Sequence, residues 1–255
     1  MEDGLNPNAV YGDGTTALHW ASYHNSNQAT ELLLASGADV NATTDLGVTA
    51  LWLAAENGSV DIVRKLLTSG ADPRIQLLSG ETTIMTAAQA GNGEVVRSIL
   101  EAGGDPNVAV TREQTALMWA AGLGHSDVVA ALLDHGADVH ARSRVREQYV
   151  KSEKEQDSHP SYKYWIEQGG NTALMFAARS GDIRPAQLLV AAGADINEIS
   201  AFGTSPAIMS IHGGNAEVLD FLLESGGDPG ANPCGHTALH AAALRGSHDA
   251  VNVLL

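Results

Sequence analysis

Two strings, His125-Ser126-Asp127 and Ser247-His248-Asp249, hold the residue types of a hydrolytic triad. A triad is defined by geometry, and consecutive residues on a helix or turn do not face one another. Both strings stand where a helix opens in the pattern described below, a place where hydroxyls and carboxylates act as caps. Cys234, His236 and His240 are metal-ligating types in one stretch, but the spacing is loose and no fourth ligand stands nearby. Gly122-Leu123-Gly124 lacks the third glycine and the preceding strand of a dinucleotide loop. Acids recur in Gly-Ala-Asp strings about one repeat apart, and that regularity marks scaffold, with no sign of a tuned acid–base pair. The chain is therefore read as non-catalytic, with no metal and no cofactor.

The bulk numbers narrow the partners. Fourteen Lys and Arg stand against 30 Asp and Glu, a net charge of −16 in 255 residues. Such a surface repels phosphate backbones, so no nucleic acid is expected. No apolar run approaches the roughly 20 residues of a membrane span, so no membrane contact is expected either. The start, MEDGLNPNAV, lacks the basic and apolar stretches of a signal peptide. The compartment stays open between the cytoplasm and export with a leader absent from this sequence. One cysteine, Cys234, excludes an internal disulfide framework.

The elements that position these residues are repeats. TALHWAS, TALWLAA, TTIMTAA, TALMWAA, TALMFAA, SPAIMSI and TALHAAA begin at Thr16, Thr49, Thr82, Thr115, Thr172, Ser205 and Thr237. The offsets are 33, 33, 33, 57, 33 and 32. A GADVN-like string recurs in phase from Gly37, Gly70, Gly103, Gly136, Gly193 and Gly226. A third marker is a glycine at 58, 91, 124, 181, 214 and 246, with Asn25 at the first-repeat position. Asparagine is the best non-glycine residue for left-handed backbone, so it fits the same place.

Each unit reads as helix, turn, helix, loop. Thr or Ser205 caps the first helix, the central glycine or Asn25 ends it, and small Ala-Ala pairs let neighbours approach. Leu66-Leu67, Leu132-Leu133 and Leu222-Leu223 fill the space between layers. Pro185 falls in the first turn of a second helix, where its missing amide costs little. Trp20, Trp119 and Phe176 share one repeat position, and their periodicity predicts core rather than a ligand groove.

Together these strings resemble the ankyrin repeat over nearly the whole chain. The resemblance implies an all-α fold, a solenoid of helix-turn-helix units joined by β-turn or hairpin loops. Alanine replaces the usual proline after Thr, except at Ser205-Pro206, and the usual histidine survives as His19 and His240. The resemblance implies that this histidine bonds within its own repeat. TALMWAA and GGNTALMFAARSGD are similar to bacterial ankyrin proteins, some of which are exported. The expected organisation is residues 1–141, a preceding repeat's tail and four repeats; an insertion, 142–168; and residues 169–255, three repeats with the last truncated. Gly4-Leu5-Asn6-Pro7-Asn8 matches a repeat tail and Leu254-Leu255 stops inside a helix. Both ends read as cut, and a longer natural protein is expected.

The offset of 57 exceeds the period by 24 residues. Segment 142–168 holds six bases and five acids, net +1, against eight bases and 25 acids elsewhere, net −17. It carries Tyr149, Tyr162, Tyr164 and Trp165. RSRVREQYVKSEKEQ predicts a short helix with a Glu147–Lys151 pair, broken at His159-Pro160. SYKYWIE alternates like an extended segment. Tyr, Trp and Arg dominate interface energetics, so this segment is a candidate binding element, with a tolerated loop as the bland alternative.

The resemblance places a partner, another protein, at the turn tips and the exposed end of each first helix. No small-molecule substrate is expected. The candidates there are Tyr23, His24, Leu46, Arg112, Arg179 and Phe202, beside the four insertion aromatics. Leu46 and Phe202 stand out as apolar residues at turns with no core role. The function expected is a protein–protein interaction scaffold. A competing reading makes the chain a targeting or regulatory arm of an enzyme or redox protein whose active domain lies beyond Leu255.

Overall fold

The computed structural model describes residues 5–151, 163–231 and 235–255. The expected break at His159-Pro160, and Tyr162 and Cys234, lie outside them. Two compact units emerge: residues 1–111 with 115–138, and residues 139–255 with 112–114.

The first unit is four helical hairpins in series. Their first helices are α1 (Ala17–Tyr23), α3 (Ala50–Glu56), α5 (Thr83–Ala90) and α7 (Ala116–Leu123). Their second helices are α2 (Asn27–Ala35), α4 (Val60–Thr68), α6 (Gly93–Glu101) and α8 (Ser126–Asp134). First helices pack on first helices and second on second, so each hairpin buries its apolar sides against its neighbours. The caps follow the repeat. The hydroxyls of Thr49, Thr82 and Thr115 accept from the backbone N–H of Trp52, Met85 and Met118 at 3.1, 3.4 and 3.4 Å. Each first helix then stops at a residue with positive φ: Asn25 at 53° and the central glycines of the following repeats.

The second unit begins with a hairpin of strands β1 (Arg146–Lys151) and β2 (Lys163–Gln168), antiparallel, with Tyr149 opposite Trp165 and Gln148 opposite Ile166. The extended reading of the second half holds over β2, but the helix expected over RSRVREQYVKSEKEQ is not formed in its described part, residues 142–151; residues 152–156 lie outside the described residues. A short helix with no packing partner is marginal in water. Its Glu147–Lys151 pair would be worth only about 0.2–0.5 kcal/mol. A six-residue ladder pairs one edge of β1 with β2, and Tyr149 and Val150 suit a strand.

The hairpin is rooted by Ser143 and Arg142. Ser143 exchanges backbone bonds with Asn171 and Gly170. The Arg142 guanidinium donates to the Gly170 and Ile199 carbonyls at 3.3 and 3.0 Å and pairs with Glu198. Three hairpins follow: α9 (Ala173–Ser180) with α10 (Ile183–Ala191), α11 (Pro206–Gly213) with α12 (Ala216–Glu224), and α13 (Ala238–Arg245) with α14 (His248–Leu254). Pro185 occupies the first turn of α10, where no helical amide is needed. Thr172 departs from the cap pattern: its hydroxyl is buried and makes no bond.

In each paired-leucine string the first residue, Leu66, Leu132 or Leu222, is buried and the second is half-buried. The aromatic stripe is a correction. Trp20 is 52% exposed, Trp119 37% exposed and Phe176 half-buried. The buried side of a first helix is carried by positions such as Leu18, His19 and Ala21. Trp20, one residue beyond His19, turns onto the open face. Periodicity marked a recurring position but not the side it faces.

Candidate binding groove

Two ladders of side chains lock neighbouring repeats and fix the loops. In the first, the asparagine of one GADVN-like string clamps the next string. Asn41 Nδ2 donates to the Gly70 carbonyl at 3.0 Å while its Oδ1 accepts from Asp72 N at 2.8 Å. Asn8, Asn107 and Asn197 repeat the clamp on Gly37/Asp39, Gly136/Asp138 and Gly226/Asp228. Arg74 replaces asparagine at one rung and turns back to its own Asp72 at 3.0 Å. The sequence reading saw these strings only as turn formers.

In the second ladder, the turn between the two helices reaches back one repeat. Asn57 Nδ2 donates to the Ser22 and Tyr23 carbonyls. Asn92 donates to Gly58 O, and Asn215 to Ala178 O and Arg179 O. His125 makes the equivalent contact with Gln89 O at 3.2 Å. Its imidazole is thus tied to backbone rather than to Ser126 or Asp127. His125, rather than Ser126, is the N-cap residue of α8, and its side chain makes no cap bond. Ser247 caps Ala250 N at 3.3 Å, as expected.

The retained histidine does more than bond within its repeat. His19 Nδ1 accepts from the Thr16 backbone N–H at 3.1 Å and lies 2.8 Å from the Thr16 hydroxyl. Its Nε2 lies 2.9 Å from the Val48 carbonyl in the following loop. The acceptor role at Nδ1 assigns the proton to Nε2. His240 keeps the local half, 2.8 Å from the Thr237 hydroxyl, and its ring meets His236 edge-on at 6.1 Å. Among the described residues no three His, Cys, Asp or Glu side chains gather as metal ligands.

These locks hold a groove open in the first unit. Asp45 N donates to the Asp13 carbonyl at 2.9 Å, and Leu78 N donates to the Leu46 carbonyl at 3.0 Å, so successive turn tips stack into one ridge. Opposite the ridge stand the ends of the first helices. Between them lies a cavity of ≈ 370 Å³ lined by Asp13, Trp20, Tyr23, Asp45 and Leu46, with His19 and Val48 at its floor. The Trp20 and Tyr23 rings meet at 88° with centroids 6.1 Å apart, and His24 stacks on Trp20 at 5.9 Å. Tyr23 is 53% and Leu46 66% exposed. The Thr15 hydroxyl and backbone N–H hold the Asp13 carboxyl below the usual carboxylate range.

The structure thus brings Tyr23, His24 and Leu46 together and adds Trp20, which the sequence assigned to the core. Leu78, strongly exposed on the same ridge, was missed. In the second unit Arg179 is exposed at the end of α9 and Phe202 at the turn before α11. Arg112 has φ 74° and its carbonyl accepts from Arg144 N at 2.6 Å. The backbones of Tyr149, Tyr164 and Trp165 lie in the hairpin.

Tandem helical hairpins clamped through their loops define a helical-repeat protein. The family model described as ankyrin repeats (3 copies) matches residues 2–77, 51–143 and 174–255, and the chain belongs to the ankyrin-repeat family. It is 34% identical over 88 residues to an ankyrin repeat and KH domain-containing protein of Caenorhabditis briggsae, a match covering 33% of this chain and 3% of that protein. The chain therefore matches only a small part of that relative. It is 36% identical over 88 residues to cyclin-dependent kinase 4 inhibitor B of Rattus norvegicus, covering 34% of this chain and 67% of that one.

Among solved structures it resembles the ankyrin repeat domain of Bcl-3, a unique member of the IkappaB protein family. The TM-score is 0.72 at 24% identity, over 95% of this chain and 99% of that one. It also resembles the human ASB11 ankyrin repeat domain, TM-score 0.75 at 21% identity, over 94% and 97%. At these identities the structural likeness speaks to the fold alone. Ankyrin repeat domains generally mediate protein–protein interaction. Among the described residues no helix is long and apolar enough to cross a membrane.

Proposed function

We propose that the chain is a non-catalytic protein-recognition scaffold, and that its principal site in the first unit is the groove between Leu46 and the Trp20–Tyr23–His24 cluster. The observation that carries this reading is the exposure of Trp20 and Tyr23 at the wall of a preformed cavity. Large aromatics left half in water are the residues that dominate binding energy when a partner covers them. Helices and clamped turns hold them in place, so little freedom is lost on binding.

In the second unit, Arg179 and Phe202, with Arg112, form the corresponding tip and helix-end positions. The 142–168 segment, with Tyr149, Tyr162, Tyr164 and Trp165, is a second recognition element of the scaffold. The partner is another protein.

Panning a displayed random-peptide library against the intact chain and against Trp20→Ala tests the groove, since Trp20 is half in water; circular dichroism of the variant checks that the fold is kept. Sequences kept by the intact chain and lost by the variant are expected. Sequences kept equally by both, or none at all, would remove the groove from the recognition surface. Replacing 142–168 by a short turn tests the hairpin in the same assay.

A further inference from the structure

The groove carries more than apolar walls. Its two aromatic rings form a right-angled corner at 6.1 Å, and its rim carries Asp13 and Asp45. The backbone bond from Asp45 N to the Asp13 carbonyl locks the two tips side by side, so both acids border the same opening. Neither acid has an ion-pair partner among the described residues. Asp13 spends its carboxylate on the Thr15 N–H at 3.0 Å, which favours its charged form.

Unpaired carboxylates beside exposed aromatic faces suit one kind of occupant. The negative face of Trp or Tyr attracts a cation within about 6 Å of the ring. The apolar part of the lining, Val48 and Leu53 beside His19, suits a hydrocarbon stem. A guanidinium also stacks on aromatic faces and would engage one carboxylate two-pronged, whereas the rim here offers two carboxylates from separate turns, a setting for a compact ammonium on a flexible four-carbon stem. The stem lies along the apolar walls and the charge meets the rim.

We propose that this corner is a lysine pocket: it receives the side chain of a lysine on the partner's surface, with the stem against Trp20 and Tyr23 and the ammonium between the Asp13 and Asp45 carboxylates. The proposal rests on the reading of the groove as the recognition site. The chain's net charge of −16 adds long-range attraction for a basic partner, but the corner itself decides which residue enters.

The test uses the intact chain and two small probes: n-butylammonium, which copies the lysine side chain, and n-butanol, its neutral counterpart. The Trp20 indole and Tyr23 ring resonances are followed by NMR during titration. Saturable shifts are expected with n-butylammonium, at about tenfold lower concentration than with n-butanol. The preference should shrink in high salt. Asp13→Asn with Asp45→Asn should remove it and leave the n-butanol response unchanged. Equal response to both probes would overturn the lysine assignment while the groove stands as an apolar site. No response at Trp20 and Tyr23 to either probe would also overturn it, and the peptide panning then decides the broader reading independently.

Discussion

The Nε2 of His19 lies 2.9 Å from the carbonyl of Val48, so one imidazole closes its own helix and fastens the next loop. One repeat on, Trp52 stands at the same position, and its indole Nε1 is buried with no partner. Losing the first arrangement removes a made bond; losing the second removes an unmade one. His19→Leu is expected to cost about 1–3 kcal/mol. Trp52→Phe, although it gives up apolar surface, should cost less than about 1 kcal/mol, because it deletes a stranded donor. Urea unfolding of the two variants compares them directly. A larger loss at Trp52 would mean that its indole is satisfied in solution.

The asparagine ladder predicts an asymmetry between two neighbouring rungs. Asn41→Ala strips partners from Gly70 O and Asp72 N and should cost about 1–3 kcal/mol. Arg74→Asn should instead raise stability by about 0.5–1.5 kcal/mol by supplying a missing clamp. The Arg74–Asp72 ion pair it gives up is exposed, and such pairs contribute little. The midpoint of chemical denaturation reads both changes.

Two glycines separate steric need from backbone need. A Cβ on Gly213 would lie 2.5 Å from the Arg179 carbonyl, although its φ is unremarkable. Gly37 has open space around it but φ of +84°. Gly213→Ala should cost about 1–3 kcal/mol through overpacking of α9 against α11. Gly37→Ala should cost about 1–2 kcal/mol through strain alone. Gly37→Asn should recover part of that loss, as Asn25 shows this residue tolerated at φ 53°, whereas Gly213→Asn should be at least as harmful as Gly213→Ala. Thermal melts of the four variants distinguish these cases.

In the second unit, His212 is held below its ordinary pKa, first by partial burial of its ring and then by Arg245 and Arg179. A lowered pKa means that the unfolded chain takes up this proton before the folded one. The associated stability is present above about pH 6.5 and is lost as pH falls through the folded-state value. Arg245→Gln or Arg179→Gln should raise the midpoint of His212, read from its ring Cε1–H resonance. An unmoved midpoint in both variants would leave burial as the whole cause.

The repeat was legible because its markers are local. A cap hydroxyl, a positive-φ glycine and a Gly-Ala-Asp turn each act within a few residues, so hairpin order, helix ends and the first turn at Pro185 followed from spacing. The tips were legible for the same reason, and Leu46 and Phe202 are exposed where the string placed them.

Relations between repeats were not legible, because they depend on which atoms meet across a distance of about one period. Nothing local in GADVN says that its asparagine reaches Gly70, or that His19 reaches Val48. The helix expected from Arg142 gives way to strand over Arg146–Lys151 because a pairing partner, Lys163–Gln168, outweighs propensity.

Trp20 shows the division most clearly. The sequence alone determined that an aromatic recurs on the first helix at a fixed phase. Only the stacking of α1 on α3, and of the Asp13 tip on the Asp45 tip, decided that this phase faces an open groove. Burial is a property of neighbours in space, which one chain's periodicity does not contain.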